Sequence, residues 1–352
     1  MSIIANGFEV VDLTGVINKF APQYGLLNKL GIFRDIPIAT TTAQIDVSSQ
    51  GLTLANSVAR GSRNATTIAA AVIKSTYVPT PYFKIVDSIT PEQIQNARQP
   101  GYDIAETVTR LTAERVTALR RKIDSTHEFM KLQALKGKTV TPEGKTLLDA
   151  YSAFDATQND ITFDFSGTGI DVQIQILKDQ LIEDSGLAGV VDTDAVIVLC
   201  SNSFFNALTT NSYLRDAYLS QQNPLAHSLM TGSLATGISD GVRANSDQFV
   251  YRGMTFIRYP AKFTDATGAI RKGIEDDTAL AFIDLRGVSE QSIFQNLCAP
   301  ADKINFANTI GQPSYLFQFE DLRGDAVDFE LHSAVTPFCS RPSATATLKL
   351  KK

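Results

Sequence analysis

Three histidines, His127, His227 and His332, have the broadest chemical range of any side chains in this chain, and no two stand at ligand spacing. His127-Glu128 begins like the H-E-x-x-H zinc helix, but no second histidine follows one turn on, so a solvated or interfacial pair is expected. Glu275-Asp276-Asp277, beside Gly273, has the carboxylate oxygens that a divalent cation takes. As a charge run it is expected to be a solvated loop. Asp192 and Asp194 precede a strand as paired acids or, the expected reading, as turn residues. Gly167-Thr168-Gly169 stands before a helix, where backbone N–H groups can cradle phosphate. No third glycine completes a dinucleotide fingerprint, and no Lys-Ser/Thr follows. There is no G-x-S-x-G elbow to present a nucleophilic serine. Arg323-Gly324-Asp325 spells an adhesion tripeptide, yet a turn between two alternating strands accounts for it. Cys200, Cys298 and Cys339 are odd in number and widely spaced, giving neither a metal motif nor a disulfide framework. They read as reduced, buried thiols of a protein folded in the cytoplasm. Asn64-Ala65-Thr66 matches a glycosylation sequon by chance, since no secretion signal is visible. No constellation supports an enzyme, and no catalytic residue, metal site or cofactor is expected.

The elements have to do something other than hold an active site. A chain of 352 residues exceeds the size at which one core keeps growing, so two domains are expected. Its formal net charge is −5, with no basic tail or Arg-rich patch, which disfavours sequence-specific nucleic-acid binding. Ala195–Leu214 is uncharged and long enough for a membrane span. Ser201, Asn202, Ser203, Asn206, Thr209, Thr210 and Asn211 interrupt it, so a buried strand followed by a capped helix is expected, and no membrane partner.

The strongest periodic signal is a helix from Tyr102 to Lys136. Ile104, Val108, Leu111, Val116, Leu119, Ile123, Met130 and Ala134 recur at near-helical spacing, Glu106 and Arg110 stand in the favourable i,i+4 order, and Gly137 is a stop. Its length is about 50 Å, more than a compact domain needs. Such a strut belongs in a large, flat subunit built to join others. Before it, residues 1–37 read as an arm with a short helix capped by Asp12 and lined by Val16, Ile17 and Phe20. Leu26, Leu27, Leu30, Ile32 and Phe33 form a greasy patch that should dock on another domain or subunit.

Residues 38–90 read as a long β-hairpin. Ile45 and Val47 alternate with polar neighbours, Arg60-Gly61-Ser62-Arg63-Asn64 turns, and Pro79 and Pro81 end the apolar run Ile68 to Tyr77. A two-stranded ribbon is marginal alone and needs a neighbour. Pro91 to Gln95 opens a short helix, and residues 138–165 return to strands around a turn at Pro142-Glu143-Gly144. A second unit begins near Gly167. It has a helix on Ile170, Ile174, Leu177 and Leu181, a buried strand Ala195–Cys200, a helix capped by Ser201 or Ser203, a hairpin around Arg252-Gly253 and a strand Ala279–Asp284. Tyr315, Phe317 and Phe319, then Val327, Phe329 and Leu331, alternate as strands returning to the first unit. The polar tail Arg341–Lys352 reads as an edge or free end.

Several strings, in this order, resemble the major capsid protein E family of lambda-like tailed phages over nearly the whole chain. They are Leu30-Gly31-Ile32-Phe33, Arg60-Gly61, Ile94-Gln95 with Arg98, then Thr126, Glu128 and Ala134-Leu135-Lys136-Gly137. Further on come Phe204-Phe205 with Leu208, Phe249 through Gly253, and Phe256 with Tyr259. The last group is Ala299-Pro300-Ala301-Asp302, Asn308-Thr309, Gly311, Tyr315 and Arg341-Pro342. Tyr259-Pro260-Ala261 departs from the aromatic-Gly ending usual after the hairpin.

The resemblance implies an α+β chain with the capsid fold named after phage Hong Kong ninety-seven. Its parts would be an N-terminal arm (1–37), an extended β-hairpin loop (38–90), a peripheral domain (91–166 and 297–352, with spine helix 102–136) and an axial domain (167–296). It implies a major head protein that assembles with itself into hexamers and pentamers, forming an icosahedral shell around double-stranded DNA. A scaffolding protein, a portal and a decoration protein would be further partners. Assembly in the bacterial host cytoplasm and residence in the virion follow. Leu26, Leu27, Leu30, Phe33, Arg60, Gly61, Arg63 and Glu128 are the subunit-interface candidates. Two alternatives stay open: a cellular nanocompartment shell of encapsulin type, and a cation-dependent hydrolase using Asp192, Asp194 and Glu275.

Overall fold

A computed structural model of the chain describes residues 11–12, 14–18, 25–48, 73–96, 104–165, 169–184, 196–214, 248–265, 267–284, 293–320 and 326–351. Within them the long helix runs Ile104–Leu135. The run contains neither glycine nor proline, so nothing breaks its backbone ladder. It ends where Gly137 turns to φ 81 and donates to the Ala134 carbonyl at 3.0 Å. Its buried face changes partners along its length. Leu119 and Ile123 pack with Ile89, Leu316, Phe329 and Leu331, whereas Phe129, Met130, Leu132, Ala134 and Leu135 enter the main core. One rod thus bridges two hydrophobic clusters, the strut expected from its length.

The first cluster lies under a four-stranded antiparallel sheet, ordered Val11–Asp12, Tyr315–Glu320, Val327–Ser333, Phe83–Ile89. Leu316 stands opposite Leu331 in the register, and both meet the helix. Tyr315 and Phe317 bury their rings on the opposite face with Ala301, beneath Phe306. Phe83–Ile89, placed with the hairpin by the sequence reading, belongs to this sheet instead. Residues 80–82, with Pro81 at their centre, separate it from the ribbon strand that ends at Pro79.

The main core surrounds a six-stranded mixed sheet. Its order is Gln248–Tyr251, Met254–Arg258, Val196–Cys200, Thr278–Ile283, Thr345–Leu350, Asn159–Phe163. Val196–Cys200 is wholly buried, as its continuous apolar sequence suits, and runs parallel to Met254–Arg258 and antiparallel to Thr278–Ile283. Arg252 and Gly253 both have positive φ (49 and 74), the geometry of a tight type I′ hairpin turn. Ser201 caps the helix Asn202–Thr210 by accepting from the Phe204 N–H, while Ser203 accepts from the Asp277 N–H.

The polar tail is a correction. Thr345–Leu350 is neither an edge nor a free end; it pairs with Thr278–Ile283 on one side and Asn159–Phe163 on the other. Ala346 and Leu348 point into the core, while Lys349 reaches Asp160 at 2.6 Å. Alternating Thr, Ala, Leu and Lys disguises an interior strand as a solvated tail. The sheet therefore draws strands from segments assigned to different domains on sequence.

The greasy patch takes the first of its two expected partners, another part of the same chain. Leu27, Leu30, Ile32 and Phe33 are buried in the main core, with Leu26 packed against it, so this surface docks within its own chain. The helix Leu26–Leu30 lies on the long helix, and Arg34–Pro37 joins Phe294–Cys298 and Val335–Cys339 in a three-stranded sheet. Val11–Asp12 likewise pairs with the chain's own Tyr315–Glu320. The described arm folds onto its own body because burying four large apolar side chains stabilises it by about 1.5–3 kcal/mol each.

Candidate functional site

Among the described residues the chemically capable side chains do not converge. His127 is buried on the long helix and bonded to Ser333 Oγ at 2.8 Å. Ser333 donates its own proton to the Pro313 carbonyl, so His127 is the donor, with its hydrogen on Nε2. His332 sits between the Tyr82 hydroxyl at Nδ1 (2.5 Å) and Glu330 at Nε2 (3.1 Å). Asp276 pairs with Lys272, and Asp277 takes a left-handed turn (φ 60) into the strand at Thr278. The acidic cluster is thus a turn. Cys200, Cys298 and Cys339 are free and buried, and burial holds their thiols up, Cys339 at about 12, away from nucleophilic thiolate. Among the described residues no group of three or more His, Cys, Asp or Glu is placed to hold a metal. His227, Asp192, Asp194, Gly167, Thr168, the sequon at Asn64 and Arg323-Gly324-Asp325 lie outside the described residues.

Burial lowers the His127 pKa from 6.5 to about 3, aided by the nearby cations Lys131 and Arg120. A folded-state value below the unfolded one means the native state holds its proton more weakly. The stability tied to neutral His127 is therefore complete above pH 6.5 and drains as pH falls toward 3, at about 1.4 kcal/mol per unit. In urea titrations between pH 7 and pH 4, His127→Gln should flatten this slope; an unchanged slope would assign the acid sensitivity elsewhere.

What the structure does assemble is a junction around Glu128. This carboxylate is buried on the helix's inner face. Oε1 accepts the Leu27 N–H at 2.9 Å and the Tyr259 hydroxyl at 2.8 Å, while Oε2 accepts the Asn28 N–H at 2.9 Å. Asn28 Nδ2 donates to the Asp124 carbonyl (2.8 Å), and Lys131 Nζ donates to Asn28 Oδ1 (2.9 Å) while lying 5.6 Å from the Phe33 ring centre. One side chain thereby ties the arm helix, the long helix and the loop following Met254–Arg258. Desolvation raises the Glu128 pKa, and the Leu27, Tyr259 and Asn28 donors and Lys131 oppose that shift by favouring the anion. Gly25 is part of the junction. At φ +94 it passes so close that a Cβ would lie 2.3 Å from Glu128 Oε2.

Glu128 was expected at a subunit interface, and the structure turns it inward, as it does Leu27, Leu30 and Phe33. An unpaired buried charge is costly, and the Leu27, Asn28 and Tyr259 donors within its own chain satisfy it. Arg60, Gly61 and Arg63 lie outside the described residues. Sequence reasoning missed Gly25, Asn28, Lys131 and Tyr259 as partners. The available signal was a glutamate on the apolar face of a long helix, which requires donors from elsewhere.

Among the described elements, the one with the least support is the ribbon Thr42–Ser48 paired with Ile73–Pro79. Its base is anchored by Ala43 and Val78 against Leu148, Leu297 and Phe338. Farther out, Asp46, Ser75 and Gln44 bond to one another across the strands, and Tyr77 is 68% exposed. At about 3.4 Å per residue, each leg reaches roughly 24 Å.

Residues 9–350 match the family described as Phage major capsid protein E. The chain is 37% identical to the major capsid protein of Salmonella phage Felix O1 over 351 residues, covering 95% of this chain and 94% of that one. It is 26% identical to the major capsid protein of Pseudomonas phage KPP10, covering 92% of each. Among solved structures, a prophage protein of E. coli CFT073 described as a capsid protein aligns over 97% of this chain and all of its own, with TM-score 0.61 at 16% identity. The mature capsid protein of bacteriophage PhiM1 aligns over 91% of this chain and 85% of its own, with TM-score 0.50 at 12% identity. These structural likenesses show the α+β capsid fold named after phage Hong Kong ninety-seven. The chain belongs to the phage major capsid protein E family.

Proposed function

We propose that this phage major capsid protein tiles a closed icosahedral shell, as hexamers and pentamers, around double-stranded DNA. The observation that carries the reading is the strand pair Thr42–Ser48 and Ile73–Pro79, packed on the body at Ala43 and Val78 with Tyr77 turned out to solvent, on a chain whose family is made of shell subunits. A two-stranded ribbon of this length is marginal in water, so a neighbouring copy supplies the surface it lies on. Many such contacts add through effective concentration, which stabilises a closed shell though each pair is weak. Since the described arm is folded on its own body, the ribbon is the element that reaches across.

The division into arm, extended loop, peripheral and axial units is part of this proposal. One change is made: Asn159–Phe163 and Thr345–Leu350 move to the axial unit, because they lie in its sheet. The role is structural rather than enzymatic. Assembly takes place in the host cytoplasm with a scaffolding protein and a portal. The net charge of −5 suits a wall that encloses a genome without trapping it on nonspecific phosphate contacts.

Electron microscopy of the full chain, expressed with the scaffolding protein of its own phage, is the test. Closed particles are expected, and removal of residues 49–72 should abolish them while the rest stays folded. Material that remains monomeric under those conditions overturns the shell. Particles filled with a cargo enzyme and no DNA would move the reading to a nanocompartment.

A further inference from the structure

The junction that holds the arm also brings an amine to an amide. Lys131 Nζ, on the long helix, donates to Asn28 Oδ1, on the arm helix, at 2.9 Å. A carbonyl bond is about 1.2 Å long, so this amine lies about 3–4 Å from the Asn28 Cγ, close to the separation of a near-attack pair. Both partners are half-buried, and other contacts hold each in place. Asn28 Nδ2 donates to the Asp124 carbonyl at 2.8 Å, its backbone N–H donates to Glu128 Oε2 at 2.9 Å, and the Lys131 amine lies over the Phe33 ring.

The groups needed for acyl transfer are present. An ammonium is not a nucleophile, but the amine is. Desolvation lowers the Lys131 pKa, against the opposing pull of Asp35, Glu128, Cys298 and Asp124, so the amine is easier to reach than on a solvated lysine. Among the described residues the hydrogen-bond partner of Nζ is this amide and not a carboxylate. Transfer also needs a group that carries a proton from the attacking nitrogen to the departing one. Glu128 stands beside Asn28, and burial raises its pKa, which helps it return a proton once taken.

We propose that Lys131 and Asn28 join in an isopeptide bond within one subunit, tying the arm covalently to the long helix. The neutral Lys131 amine attacks Asn28 Cγ and forms the Nζ–Cγ bond. Glu128 takes a proton from Nζ and gives it to Nδ2; the Cγ–Nδ2 bond then breaks and ammonia leaves. One amine and one amide become one substituted amide and ammonia, with no change of oxidation state. The bond forms inside a single chain, so it stands apart from the shell reading.

Mass spectrometry of the purified full chain is the test. The subunit should be lighter than its sequence by one molecule of ammonia. Trypsin should release a branched peptide joining residues 20–29 to residues 123–136, because a linked Lys131 is no longer a cleavage site. Lys131→Arg keeps the cation and removes the nucleophile, so it should show the full mass and separate peptides. Glu128→Gln should lower the linked fraction at a fixed early time by about a hundredfold, the effect of losing a proton carrier. A parent chain of full mass that releases residues 123–131 as a free peptide overturns the link. Loss of ammonia that persists in Lys131→Arg overturns it too, since that loss would arise without the amine. Linking at the parental rate in Glu128→Gln overturns the part given to Glu128. Each readout is made whether or not particles form, so failure of the link leaves the shell standing.

Discussion

Glu128→Ala is expected to cost about 3–5 kcal/mol, the range for breaking a buried, charge-assisted network from one side. The loss has a clear origin. The Leu27 N–H, the Asn28 N–H and the Tyr259 hydroxyl lose their common acceptor and face an apolar interior. Glu128→Gln keeps an acceptor oxygen and the side-chain shape but turns the other position into a donor facing an N–H, so about 1–3 kcal/mol is expected. Tyr259→Phe removes one donor and its need together and should cost least of the three. Urea midpoints of the full-length subunit would rank them. Limited proteolysis adds a local readout: cleavage near Gly25 should rise in Glu128→Ala before the main core opens, because the arm helix loses its anchor first. Equal midpoints for parent and Glu128→Ala would show that Glu128 does not hold the arm.

Removing Thr345–Lys352 should abolish folding. The deletion takes an interior strand from the six-stranded sheet and leaves Thr278–Ile283 and Asn159–Phe163 with unpaired edges facing each other across a gap. It also removes Leu348, which has no exposed surface, and Ala346. Leu348→Ala alone should cost about 2–5 kcal/mol. Deleting only Lys351 and Lys352 should cost far less, since it removes the exposed Lys351–Asp164 pair and the single backbone bond from the Lys351 N–H to the Phe163 carbonyl. Soluble expression and circular dichroism distinguish the cases. A folded chain ending at Ala344 would make the C-terminal strand dispensable.

The elements legible in the sequence were those specified by neighbours a few residues apart. The long helix was visible because its apolar residues repeat at helical spacing and no glycine or proline interrupts Ile104–Leu135. The Arg252-Gly253 hairpin was visible because a tight turn needs positive φ at two central residues, and Tyr315, Phe317 and Phe319 because strand faces alternate. The tail was misread for the same reason. Local alternation marks a strand but not its place in a sheet, and residues 278–283 and 159–163 that flank it are far away in the chain.

Glu128 shows where local reading stops. Its string at the end of the long helix was visible, and the direction of its side chain was not. Its partners are separated from it by 101 residues at Leu27 and 131 at Tyr259. By itself the sequence determined the strut, the ribbon, the turns, the absence of any local catalytic motif and the family strings, all carried by short-range spacing. Only the tertiary structure decided that the arm's apolar face and the spine's carboxylate are spent inside the subunit, while the ribbon is left outside. Burial is set by which distant segments meet, and no local spacing encodes that meeting.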